Sequence, residues 1–226
     1  MLTCTRTQWR NAPLAYRCLW NHAAASSTYL DTTQALNPAV HDTPDHLRAS
    51  QFDLLDKALR VDQAGEVAAN WIYRGQMSVL GRDSSSKSII QSMWEQEKKH
   101  LAVMNKLQIQ HRIRPTALWE VAKIAGFALG ACTALLGREA AMACTEAVET
   151  VIGEHYDDQL KEMEFLPGSH PSISMLDNLV REFRDDELEH LDIAIENHSQ
   201  RAPGHALLSA AVASGCEAAI AICKVI

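Results

Sequence analysis

Trp94-Glu95-Gln96-Glu97-Lys98-Lys99-His100 and Arg184-Asp185-Asp186-Glu187-Leu188-Glu189-His190 carry the same motif, Glu-x-x-His, as Glu97/His100 and Glu187/His190. Each is preceded by a further glutamate in a shared pattern: Ala64-Gly65-Glu66 with Tyr73 seven residues on, and Ala147-Val148-Glu149 with Tyr156 seven residues on. The chain thus reads as two copies of one unit. Glu66 to Glu97 is 31 residues and Glu149 to Glu187 is 38. The seven extra residues fit the stretch 165–172, which holds Pro167, Gly168 and Pro171. Among fifteen glutamates and ten histidines, two Glu-x-x-His pairs alone are only mildly unexpected. The shared order and the shared Glu-to-Tyr spacing carry the reading. The same repeat selects Glu149 over Glu146, which lies three residues earlier on the same helical face.

Around these motifs the sequence is helical almost throughout, with no alternating strand pattern. A first helix is predicted from an N-cap at Ser50 to about Leu80, stopped by Gly81. A second runs from caps at Ser84–Ser86 to about His111, before Arg114-Pro115. The third spans about 116–136, the fourth 139–164, the fifth 172–198 and the sixth 205–226. The first, second, fourth and fifth helices carry the duplicated motifs.

Residues three apart on a helix lie on one face, so each Glu-x-x-His pair can hold the same ion. Glu66, Glu97, His100, Glu149, Glu187 and His190 together make four carboxylates and two imidazoles, a ligand set for two metal ions. This matches the general template of ferritin-like dimetal bundles, one Glu from each of two helices and Glu-x-x-His from each of the other two. The expected fold is all-α, a ferritin-like four-helix bundle with two additional apolar helices. Hard carboxylates with two imidazoles favour iron or manganese over copper or zinc. Ligating histidines usually donate their second N–H to another group. Asp186 is a candidate for that role, and a solvated acid in an acidic run is the alternative.

The net charge of −7 points to no nucleic-acid partner. Six cysteines show no C-x-x-C spacing, which suggests neither a zinc ribbon nor a disulfide framework and fits a reduced compartment. Residues 1–45 read as a disordered mitochondrial presequence. They carry Arg6, Arg10 and Arg17 and no acid before Asp31. The domain is then expected over 46–226.

The third and sixth helices stand apart. The run 126–136 carries no charge but is short for a membrane span, and the sixth segment has Glu217 in its middle. Buried core and a face lying on a membrane or partner are both open. Gly126-x-x-x-Gly130 allows close helix contact.

With these motifs stated, the chain from about Arg60 onward resembles the 5-demethoxyubiquinone hydroxylase family, the mitochondrial di-iron monooxygenases of ubiquinone biosynthesis. The resemblance rests on Arg60-Val61-Asp62-Gln63-Ala64-Gly65-Glu66, Ile72-Tyr73-Arg74-Gly75-Gln76-Met77, Gly126-Phe127-Ala128-Leu129-Gly130, Ala141-Met142-Ala143-Cys144-Thr145 and the two Glu-x-x-His segments. It implies two iron ions on Glu66, Glu97, His100, Glu149, Glu187 and His190. It also implies an external reductant, NADH, with His155 and Tyr156 near the metals as catalytic residues in electron delivery. The implied reaction is O₂-dependent hydroxylation of the ring of 5-demethoxyubiquinone, a prenylated quinone. The implied setting is the matrix side of the mitochondrial inner membrane, as a peripheral protein with a lipid-binding partner protein. The third and sixth helices would then meet the membrane surface. The chain departs from the family's usual residues at Gln63 and at Val67-Ala68. Two other functions fit the motifs: iron oxidation or peroxide handling on the same bundle, and a non-enzymatic helical adaptor.

Overall fold

The computed structural model describes residues 25–226. Six long helices follow one another: α1 (Ala49–Leu80), α2 (Ser84–His111), α3 (Trp119–Leu135), α4 (Arg138–Met163), α5 (Pro171–Glu196) and α6 (His205–Cys223). No strand occurs among the described residues. The caps differ from those the sequence suggests. At α1, Ser50 is not the cap: Arg48 is, and its backbone N–H donates to the Gln51 side chain at 3.0 Å. At α2 the cap is Asp83, which accepts from the backbone of Ser86 at 2.7 Å. His170 caps α5, with Pro171 in its first turn. Gly137 stops α3 at φ 122°, a backbone conformation L side chains avoid.

α1 pairs with α2 and α4 with α5, and these four helices form the bundle. The apolar helices attach in the same way in both halves: α3 lies on α1, and α6 lies on α4. The duplication therefore covers three helices per half, beyond the two whose motifs reveal it. α3 meets α1 backbone to backbone. A Cβ on Gly126 would come within 2.6 Å of the Ala68 carbonyl, and one on Gly130 would collide with that of Ile72.

The bundle core has two apolar clusters. One holds Leu55, Leu59, Leu107, Tyr156, Leu176 and Phe183. The other holds Tyr73, Ile90, Met93, Met142 and Ala194. Along each of the four helices, the predicted ligands fall between the positions that feed these clusters. The polar layer is thus sealed at both ends by packed side chains, where burying ionisable groups costs most without partners.

Residues 25–45 are structured and do not match the expected disorder. Ala25–Leu30 and Pro38–His41 are short helices. Tyr29 is buried, and its hydroxyl donates to Gln110 at 2.9 Å. The Ser26 hydroxyl donates to Glu182 on α5, and Thr43 pairs with His111 at 2.9 Å. These contacts tie the segment across α2 and α5, so the ordered domain starts ahead of residue 46. The remainder of the proposed presequence, residues 1–24, lies outside the described residues.

Candidate metal centre

All six predicted ligands meet in the bundle interior, each almost wholly buried. Ligand atoms of Glu66, Glu97, His100 and Glu187 lie within 4.8 Å of one another, as do those of Glu97, Glu149, Glu187 and His190. Glu97 and Glu187 belong to both groups, Glu66 and His100 to the first alone, and Glu149 and His190 to the second alone. His100 Nδ1 lies 3.3 Å from Glu187 and 3.7 Å from Glu66. His190 Nδ1 lies 3.1 Å from Glu97, 3.2 Å from Glu187 and 3.9 Å from Glu149. Glu146 is outside the cluster and pairs with His205 at 2.9 Å.

The side chains fit a metal pair better than they fit one another. Glu66 Oε2, Glu97 Oε1 and His100 Nδ1 are buried without any hydrogen bond of acceptable geometry. Such atoms cost free energy unless something else satisfies them. Four carboxylates here face only two imidazoles, and two divalent cations would balance them. Both imidazoles turn Nδ1 inward and leave Nε2 for a support.

Those supports cross between the halves. Asp186, beside Glu187, holds His100 Nε2 at 3.0 Å, and Gln96, beside Glu97, holds His190 Nε2 at 2.8 Å. Tyr73 donates to Glu149 at 2.8 Å, and Tyr156 donates to Glu66 at 2.9 Å. The repeat already put a polar residue before each motif glutamate, but the sequence reading singled out only Asp186. Gln96 is legible only once the second half is laid on the first. Replacing Asp186 by Asn should weaken metal binding about 10–100-fold, the usual effect of losing a ligand's support. Competition against a chromophoric chelator measures it; unchanged affinity would leave Asp186 as a surface acid.

With protein groups alone, burial drives the Glu66 and Glu149 carboxyls well above their usual range, and neighbouring carboxylates add to it. Burial depresses His100 and His190, but the surrounding carboxylates outweigh it and hold both well above the usual imidazole value. Burial also raises Glu187, yet its bonds and attraction to both imidazoles bring it below the carboxylate range. Burial first, then the carboxylates, keep Tyr73 and Tyr156 protonated as donors. The four raised groups hold protons in the folded state that the unfolded chain releases. Their stabilisation is complete below the unfolded values and is lost as pH climbs through the folded ones. Glu187 contributes the opposite dependence, but only at acid pH. Chelator-stripped protein should therefore melt at lower temperature at about pH 9 than at about pH 6. Metal displaces those protons, so the loaded protein should lose that trend. Parallel melting curves with and without metal check it.

A cavity of about 480 Å³ opens beside the cluster, between α1, α3, α4 and α6. Leu118, Leu129, Ile152, Leu208 and Val212 are among its apolar walls, the buried Glu66, Glu149 and Tyr156 join it to the cluster, and His155 also lines it. His155 and Tyr156 adjoin, with ring centroids 6.0 Å apart. Of the three departures from the resembled family, only Ala68 lines this space. Gln63 instead bonds Asn105 at 2.9 Å. The four described cysteines are free thiols.

Residues 53–223 match the family profile described as ubiquinone biosynthesis protein COQ7. The chain is 49 % identical over 167 residues to the Mus musculus protein named NADPH-dependent 3-demethoxyubiquinone 3-hydroxylase, mitochondrial, covering 74 % of this chain and 75 % of that one. It is 41 % identical over 207 residues to the Saccharomyces cerevisiae 5-demethoxyubiquinone hydroxylase, mitochondrial, covering 84 % and 89 %. It is 46 % identical over 169 residues to the Rhodospirillum rubrum 3-demethoxyubiquinol 3-hydroxylase, covering 74 % and 76 %. The match takes in α2, α3, α4, α5 and α6 whole and α1 from residue 53, and so every residue of the buried cluster and its cavity. The chain belongs to the COQ7 family of ubiquinone biosynthesis proteins.

Proposed function

We propose that this chain is a di-iron monooxygenase that hydroxylates the ring of demethoxyubiquinone in ubiquinone biosynthesis. The observation that carries this is a buried cluster of four carboxylates and two imidazoles at the inner end of an apolar cavity. Iron held there would supply the activation of O₂ that an aromatic C–H bond requires. One oxygen atom enters the ring, the other leaves as water, and an external reductant provides two electrons. The expected reductant was NADH; the mammalian relatives' names favour NADPH.

Glu66 and Glu149 would bind one ion each, held by the Tyr156 and Tyr73 hydroxyls. Glu97 and Glu187 would bridge, and His100 and His190 would bind in orientations set by Asp186 and Gln96. The apolar walls keep water from the reacting ring. Tyr156 lines the cavity and bonds Glu66, and His155 stands beside it in the same wall, which supports a role for them in electron delivery. The cavity favours a hydroxylase over iron storage or peroxide handling, which need no apolar chamber. The buried charge, costly unless used, disfavours an adaptor. We place the protein in mitochondria, peripheral on the matrix side of the inner membrane, where a lipid-binding partner protein would share delivery of the prenylated quinone. Purified protein should contain two irons per chain and convert demethoxyubiquinone with reductant and O₂. Metal-free protein with undiminished turnover would end the proposal.

A further inference from the structure

Superposing the halves by their repeats shows where they differ. Ten residues after each first glutamate stands a glutamine, Gln76 in one half and Gln159 in the other. Each reaches across to the residue four before the opposite glutamate. Gln76 donates to Thr145 at 3.2 Å, and Gln159 donates to Asp62 at 2.8 Å. One half therefore has a neutral hydroxyl where the other has a carboxylate. The residue before each tyrosine differs too: Ile72 in the first half, His155 in the second. The two changes meet, for His155 Nε2 lies 3.2 Å from Asp62 Oδ1.

We propose that Asp62 is a positioning residue that fixes His155 in the cavity wall, so that the second nitrogen of the imidazole accepts a hydrogen bond from a ring hydroxyl of the reduced substrate, a quinol. This rests on the hydroxylase reading above and extends it to how the ring is oriented. The Asp62 side chain has no exposure and His155 has 11 %. An ionised carboxylate only accepts, so His155 Nε2 carries the proton and donates to Asp62. Gln159 occupies the second carboxylate oxygen, so Asp62 is satisfied and faces the ligand with nothing free. Nδ1 of His155, the unprotonated nitrogen of that tautomer, has no hydrogen-bond partner among the described residues and can accept from a ligand hydroxyl.

Few other polar groups line the space. The Tyr156 hydroxyl is engaged with Glu66, the glutamates converge on the metal cluster, and Cys216 and Cys223 offer only weakly bonding thiols. A quinol ring with hydroxyls on opposite sides loses hydrogen bonds to water on entering such a chamber. Apolar pockets orient ligands through a few placed polar groups. Here that group is His155, and it is present on the cavity side of one half only.

The symmetry supplies the test variant. Thr145 opposite Gln76 shows that a threonine–glutamine pair suits this fold, so Asp62→Thr removes the anchor of His155 without leaving a hole. Iron-loaded full-length protein, reduced and kept free of O₂, would be titrated with a benzoquinol bearing a short alkyl tail, and Kd read by calorimetry. Asp62→Thr should bind about tenfold more weakly, the effect of one lost hydrogen bond of about 1.4 kcal/mol. Iron content and melting temperature should stay at the parent values. Asp62→Asn retains an oxygen that accepts from Nε2 and should keep most of the affinity. Because Asp62 acts through His155, Asp62→Thr combined with His155→Ile should bind no worse than His155→Ile alone. Parent-like quinol affinity in Asp62→Thr overturns the assignment, as does equal loss in the Thr and Asn variants together with loss of iron. A parent protein that binds no quinol overturns the hydroxylase reading and this proposal together.

Discussion

Replacing Glu187 by alanine should reduce hydroxylation to background and strip most of the bound metal while leaving the helical content in place. Glu187 belongs to both ligand groups and is approached by both imidazoles, His100 at 3.3 Å and His190 at 3.2 Å. Its loss would take away the carboxylate common to both groups, one of the four that would hold the ions. Metal affinity and activity should therefore fall together. Folding follows a different balance. Without metal, burial first and the neighbouring carboxylates after it raise Glu66 and Glu149, so deleting Glu187 relieves part of that repulsion while removing its attraction to both imidazoles, and the two effects oppose each other. The apolar clusters on either side do not involve Glu187. Circular dichroism, metal analysis and turnover on one sample decide the matter. Glu146→Ala is the control: Glu146 sits on the same helix as Glu149 but pairs with His205 outside the cluster. It should keep its metal. Retained turnover in Glu187→Ala would remove Glu187 from the ligand set.

Glu149 and Glu146 also show how far the sequence could be read. Either glutamate could face inward by helical spacing, and only the second tyrosine, Tyr156, told them apart. That worked because a duplicated ligand set is written in residue type and separation, both of which a linear text preserves. The same holds for Glu97/His100 and Glu187/His190, whose members share a helical face through local geometry alone. The supports were less legible because each crosses between halves. Nothing local to Gln96 says that it will reach His190, and nothing local to Asp62 says that His155 and Gln159 will close on it. Such partners depend on the register of helices far apart in the chain. The caps failed for a smaller reason. Ser50 and Ser84 are good cap residues, but α1 already begins at Ala49, where Gln51 accepts from the Arg48 backbone, and Asp83 takes the Ser86 backbone donor that a cap at Ser84 would use. Residues 25–45 failed for a larger one. Their short helices carry little propensity of their own, and packing of Tyr29 against the bundle orders them.

Charged substitutions on the outer faces of α3 and α6 should release the protein from lipid while sparing its chemistry on a soluble substrate. α6 is long and apolar enough to cross a membrane by length and composition, yet only 11 % of that stretch is buried. Leu208, Val212 and Cys216 turn one stripe inward, while Leu207 and Ile222 face out. On α3 the glycines press against α1, which leaves Ile124 and Leu135 outward at 72 % and 73 % exposure. A folded chain seldom leaves so many large apolar side chains in water without a surface to meet them. Both helices also wall the cavity, so the layer that would touch lipid is the layer a prenyl tail would pass through. Each large side chain withdrawn from lipid costs about 2 kcal/mol, so Ile124→Glu with Leu207→Glu should lower liposome association by more than about a hundredfold. Activity on long-tailed quinone should fall with it. Activity on a short-tailed soluble quinone should survive, because the ligands stand on α1, α2, α4 and α5. Flotation with liposomes that is unchanged in the double variant would mean that α3 and α6 serve the cavity alone, and that the quinone reaches it by another route.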